Sequence, residues 1–211
     1  LLASFNVADA FTGYSWANEW TPWIIGAILA ILMAGSIFGG TRRLTDVTGL
    51  LVPVMAIIYL GVGLVVVALN YQNIPAMFSA IFAGAFDFPA IFGGFAGSAM
   101  MYGIKRGLYS NEAGVGSAPN AAASASVSHP AKQGLVQMLS VFIDTMVICT
   151  LTAFVVLSSG VGEDGGVTGA PLVKDAMATV LGQPVAQVFI SVALFLFAFT
   201  TLVGNFYYAE V

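Results

Sequence analysis

Hydrophobic positions along the chain come in long unbroken runs, without the alternation of a half-buried strand or the polar face of a water-facing helix. Four runs, over 22–40, 48–70, 134–157 and 184–208, are long enough to cross a hydrocarbon core as helices, which takes about 20 residues. A fifth candidate crossing, over 90–107, is interrupted: FGGFAGSAMMYGI places Gly93, Gly94 and Gly97 in its first half. Each glycine weakens helical continuity by up to about 1 kcal/mol relative to alanine, so this crossing is predicted to be broken. The amphipathic piece PAMFSAIFAGAF and the turn DFP lead into it, and APLVKDAMATVLG reads as a short helix behind the flexible acidic loop GEDGG. The stretch GVGSAPNAAASASVS is almost entirely small, which permits close helix contact, and it is read as a helix over 117–128 ended by His129 and Pro130.

Polar positions set the orientation. Arg42, Arg43, Lys105, Arg106 and Lys132 fall on one side of the alternating crossings, and only Lys174 falls on the other. That asymmetry places the loop KRGLYSNEAG on the cytoplasmic face, and it puts Trp16, Trp20 and Trp23 at the outer boundary, where an aromatic belt belongs. Composition agrees: 59% of residues are hydrophobic, 8% are charged, and the mean hydropathy is +0.94. A soluble domain carries about 25% charged residues, so the fold class is all-α, a polytopic membrane protein in contact with the lipid bilayer. A net charge of −4 without a basic block disfavours a nucleic-acid partner. The lone Cys149 excludes an internal disulfide and is expected to pack as a small hydrophobe.

Candidate chemistry is sparse. Asp144 is the one carboxylate well inside a spanning run, where an unpaired charge costs about 2.5 to 3.5 kcal/mol. Two readings stay open for it: a coupling site for a cation or proton, or a structural carboxylate paired with a hydroxyl or amide of a neighbouring helix. Glu112 follows the basic pair and is read either as an intracellular gate or as a surface carboxylate that caps a helix or pairs with Arg106. Thr200 and Thr201 are adjacent hydroxyls deep in an apolar run; they either ligate a hard cation such as Na⁺ or bond back to the preceding turn. Asn205 lies one turn beyond Thr201 on the same face. The glycine-broken crossing is the strongest local pointer to a transport site, because unwound backbone at membrane depth is tolerated only against protein or a hydrated cavity. Nothing in the sequence assembles a nucleophile with a base, a metal-ligand cluster or a phosphate loop, so an enzyme is not expected.

The run GIKRGLYSNEAGVGSAPNAAASASVSHPAKQGLVQMLSVFIDTMVICTLTAFVVLSSG closely resembles the alanine or glycine:cation symporter family, also called sodium:alanine symporters. The resemblance extends back through FGGFAGSA and the RR loop before LVPVMAIIY, and forward to FAFTTLVGNFYYAE. It implies a LeuT-type inverted-repeat transporter, of which this chain is an internal fragment covering roughly helices 4 to 8. It also implies Na⁺ as coupling ion, held in part by Thr200 and Thr201, and a small neutral amino acid, alanine or glycine, lined by Gly93, Gly94, Phe95, Gly97 and Ser98. Family members commonly carry Trp where this chain has Asn205, which implies a roomier or more polar pocket. The family's first helix, with its GTGN-type segment, is not in this sequence, so N-terminal helices of the same chain are an implied partner. Alternatives carried forward are proton-coupled symport through Asp144 and a passive, channel-like membrane protein.

Overall fold

The structure, a computed structural model, describes residues 2–38, 40–86, 99–112, 114–161 and 167–210. Nine helices run through them: α1 (Leu2–Thr12), α2 (Thr21–Ile37), α3 (Gly40–Leu69), α4 (Ile74–Ala85), α5 (Ala99–Ser110), α6 (Ser117–Ala123), α7 (Pro130–Ser159), α8 (Ala170–Leu181) and α9 (Gln183–Glu210). A single 3₁₀ turn, Tyr71–Asn73, joins α3 to α4. Among the described residues there is no strand. Among the described residues three stretches are long and apolar enough to span a bilayer: Thr45–Leu69 in α3, Pro130–Ser159, and Gln183–Tyr207 in α9. The protein is an all-α, polytopic membrane protein.

Local signals explain several helix boundaries. Proline occupies the first turn of α2, α4, α7 and α8, where its missing N–H has no intrahelical partner to lose. Gly160, at φ +69°, closes α7 in the left-handed conformation that other residues adopt at a cost. His129 does not end a helix, as the sequence reading had it. It opens α7: its Nδ1 accepts from the Ala131 N–H at 3.1 Å, and the Pro130 ring fits the first helical position. The small-residue helix α6 stops at Ala123, short of the expected 128. Ser124 there donates to the Ala121 carbonyl and bonds the Tyr207 hydroxyl at 2.6 Å, side-chain ties that compete with continued helix.

α7 is continuous but not uniform. Pro130–Phe142 and Thr150–Ser159 are α-helical, and Ile143–Cys149 between them forms a π turn. Thr150 Oγ1 reaches back five residues to the Thr145 carbonyl, at 3.1 Å.

α9 is the axis of the fold. Its second half packs Ala198, Phe199 and Val203 on Val7 of α1 and on Ile25 and Leu29 of α2. Its first third joins a second core, in which Ala186 and Ile190 meet Tyr59 and Val66 of α3, Val155 of α7, and Ala176 and Met177 of α8. α3 and α7 come very close: a Cβ added at Gly63 would lie 2.7 Å from Leu151 Cδ2. Interhelical hydrogen bonds supplement this packing, with Tyr59 and Thr152 hydroxyls 2.7 Å apart and Asn73 Nδ2 donating to the Ser158 carbonyl at 2.7 Å. Outside these cores much apolar surface is uncovered, as on the lipid-facing side of a membrane bundle; Trp16, Trp20 and Trp23 are all exposed.

Candidate functional site

The polar groups singled out in the sequence gather at one end of the bundle, where α5 stops, α6 lies across, and α9 finishes. The chain leaves α5 at Ser110 and turns sharply at Glu112, whose φ of +51° is the only positive value at a non-glycine among the described residues. A left-handed backbone at such a residue costs about 1–2 kcal/mol, so the surrounding contacts must hold it. Glu112 accepts a hydrogen bond from the Ser117 hydroxyl at the start of α6. It does not take the role of partner to Arg106 that the sequence left open; the Arg106 guanidinium sits 5.8 Å over the Tyr109 ring.

A cavity of about 430 Å³ opens beside Glu112. Its wall includes Thr45 and Thr48 of α3, Ala121 of α6, and Thr200, Thr201, Asn205 and Tyr207 of α9. Thus the adjacent hydroxyls, the amide one turn beyond and the carboxylate, 88 or more positions away along the chain, face one space. Both threonines bond back to their own helix: Thr200 Oγ1 donates toward the Leu196 and Phe197 carbonyls at 3.1 and 3.0 Å, and Thr201 Oγ1 to Phe197 at 2.7 Å. This back-bonding does not compete with cation binding. A hydroxyl whose hydrogen is committed to a carbonyl turns its lone pairs away from that carbonyl, leaving them as acceptors.

A second cavity of about 250 Å³ shares Glu112 and Ala121 with the first and is lined further by Ser110, Asn111, Gln137, Ser140 and Asp144. Asp144 lies on the π turn of α7, and its Oδ2 accepts from Ser110 Oγ at 2.7 Å. The next residue, Thr145, donates to Asn111 Oδ1 at 2.6 Å, and Gln137 Nε2 donates to the Ala118 carbonyl at 3.0 Å. Cys149 is exposed, with Sγ 3.6 Å from Ser110 Oγ, rather than packed as a hydrophobe. Among the described residues no group of three or more His, Cys, Asp or Glu side chains is arranged to hold a metal ion. Gly93, Gly94, Phe95, Gly97 and Ser98 lie outside the described residues.

Thr45, Thr48, Ser110, Asn111, Ser117 and Thr145 were missed in the sequence. A signal existed for two of them: Thr45 and Thr48 are hydroxyls three apart at the mouth of a spanning run, hence neighbours on one helix face.

Comparison with known proteins covers the whole chain. The profile of the sodium:alanine symporter family matches residues 1–211. The amino-acid carrier protein AlsT of Bacillus subtilis is 48% identical over 205 residues, covering 97% of this chain and 43% of that relative. The sodium/alanine symporter AgcS of Methanococcus maripaludis is 42% identical over 97% of this chain and 45% of its own length. A sodium/proton-dependent alanine carrier protein of Bacillus sp. strain PS3 is 41% identical over 97% of this chain and 48% of its own. The chain thus spans under half the length of each of these relatives. A match of this extent, over a helical membrane bundle that carries hydroxyl and carboxylate groups on one cavity, settles the lineage: the chain belongs to the sodium:alanine symporter family.

Proposed function

We propose that the full-length protein performs secondary active symport of a small neutral amino acid, alanine or glycine, with Na⁺ across the cytoplasmic membrane. The observation that carries this reading is the 430 Å³ cavity on which Thr200, Thr201, Asn205 and Glu112 converge. Na⁺ is a hard cation that favours oxygen donors, and the two back-bonded hydroxyls present oriented lone pairs to that space. Asn205, one turn from Thr201, would shape the substrate side of the cavity, and Glu112, on its wall, would serve as a gate. In this reading the chain is one part of a LeuT-type inverted-repeat transporter, with crossings near 22–40, 48–70, 90–107, 134–157 and 184–208 and the Glu112 end facing the cytoplasm. Gly93, Gly94, Phe95, Gly97 and Ser98 line the amino acid, and helices N-terminal to these complete the site.

The test is alanine uptake by the full-length protein in proteoliposomes with and without an imposed Na⁺ gradient. Accumulation against the alanine gradient only when Na⁺ is supplied supports symport. Simple equilibration would sink it in favour of a passive pore.

A second reading is coupling to protons through Asp144. It is favoured by the name of the Bacillus sp. strain PS3 relative, a sodium/proton-dependent alanine carrier protein, and by Asp144 lining the cavity that adjoins the first. Uptake driven by a pH gradient in sodium-free medium, and lost in Asp144→Asn, separates this reading from the first.

A further inference from the structure

Three consecutive residues at the end of α5 are each tied by a side chain to another element. Ser110 bonds Asp144 at 2.7 Å, Asn111 bonds Thr145 at 2.6 Å, and Glu112 bonds Ser117. The first two ties end on neighbouring residues of the π turn in α7, a kind of turn frequent at functional sites. The backbone bonds flanking Glu112, to the Tyr109 carbonyl and from the Val115 N–H, are both 3.2 Å, at the long end of the ordinary range. A left-handed non-glycine residue persists only where its surroundings over-determine it, so the side-chain ties are the natural source of that constraint.

We infer that the π turn of α7 is a latch for Glu112. Asp144 and Thr145 are positioning residues: by holding Ser110 and Asn111 they fix the chain as it enters the left-handed turn, and so place the Glu112 carboxylate on the wall shared by the two cavities. Thr145 itself lines neither cavity, so whatever it does for the carboxylate passes through Asn111. The latch joins a helix that ends at the gate to a helix that runs the length of the bundle. A shift of α7 relative to α5 therefore moves Glu112, and with it the carboxylate on the wall of both cavities. This inference rests on the reading of Glu112 as a gating carboxylate in a sodium-coupled transporter.

The experiment uses the full-length protein in proteoliposomes, with two readouts: backbone hydrogen exchange over residues 109–116, and the Na⁺ concentration giving half-maximal alanine uptake. Thr145→Val removes the hydroxyl and keeps the shape. It is expected to speed exchange over 109–116 several-fold and to raise the half-saturating Na⁺ concentration several-fold, while the maximal rate at saturating Na⁺ is retained. Thr145→Ser restores the donor and should restore both. In a Glu112→Gln background, Thr145→Val should produce no further sodium shift, because the effect travels through that carboxylate. Unchanged exchange in Thr145→Val overturns the latch, as does a sodium shift that persists undiminished in the Glu112→Gln background. Asp144→Asn and Ser110→Ala read the other tie by the same exchange measurement, so a poorly folding Thr145→Val does not end the test. If the unaltered protein shows no sodium-driven uptake, the transport reading falls, and the exchange arm alone still decides whether the π turn holds 109–116.

Discussion

The two ends of α9 are built by opposite rules. At its start, Ala186 and Ile190 sit in a core with Val66, Val155, Ala176 and Met177, and all but Ile190 of these have no accessible surface. At its finish, Ala198 and Val203 are still buried, but Thr200, Thr201 and Asn205 line a cavity. Lipid is as apolar as a leucine side chain, so burying apolar surface between membrane helices gains nothing by itself. Close-packed shape holds the first end together. The second end gives up some of that packing for oriented oxygens and space. The proposed symport would use both, one end rigid enough to be a fixed reference and the other open enough to fill and empty.

That contrast can be broken experimentally. Met177→Ala should do the most damage, since a cavity left in a fully buried site costs about 2–5 kcal/mol; it should show as a lower melting temperature of the purified full-length protein. Gly63→Val comes next. Its Cβ would stand 2.7 Å from Leu151 Cδ2, and overpacking of this kind costs about 1–3 kcal/mol, part of which Leu151→Ala in the same chain should recover. At the open end, Thr201→Val should leave the melting temperature within the equivalent of about 0.5 kcal/mol. It should raise the Na⁺ concentration for half-maximal alanine uptake about tenfold, worth about 1.4 kcal/mol. Unchanged sodium dependence would remove Thr201 from the cation site, and a fall in melting temperature as large as that of Met177→Ala would erase the contrast between the ends. Tyr207→Phe should matter least: it removes one bond to Ser124, and interhelical hydrogen bonds of this kind average about 0.6 kcal/mol.

The sequence made the apolar helices legible because length and hydropathy are local properties; α2, α3, α7 and α9 each follow a run visible to the eye. Proline-first helix starts were equally local, although the His129–Pro130 pair marks a beginning and not an end. Asp144 stood out as a lone carboxylate in an apolar run. Its partner Ser110 did not, because 34 residues separate them and no periodicity links the two. The π turn was hidden for a related reason. IDTMVIC contains no glycine or proline to interrupt a helix, and its bonds to Ser110 and Asn111 exist only once α5 is in place. The convergence of Thr200, Thr201 and Asn205 with Glu112 was likewise a product of folding: helix periodicity already put Thr201 and Asn205 on one face, but only the cavity relates them to Glu112.

The π turn also sets a register. A π turn amounts to one extra residue in an α-helix, and each residue of an α-helix advances the winding by about 100°. Pro130–Phe142 and Thr150–Ser159 are therefore out of phase by roughly that angle. The face that carries Gln137 toward α6 is not the face that carries Val155 into the core with Met177. Deleting one residue between 143 and 149 would let α7 wind as a plain α-helix from end to end, at almost no cost in helical hydrogen bonds. It would nonetheless rotate one half of the helix against the other, so that either the Ser110 and Asn111 ties or the Val155 packing could be kept, but not both. Insertions and deletions in this short stretch should accordingly be far less tolerated than substitutions in it.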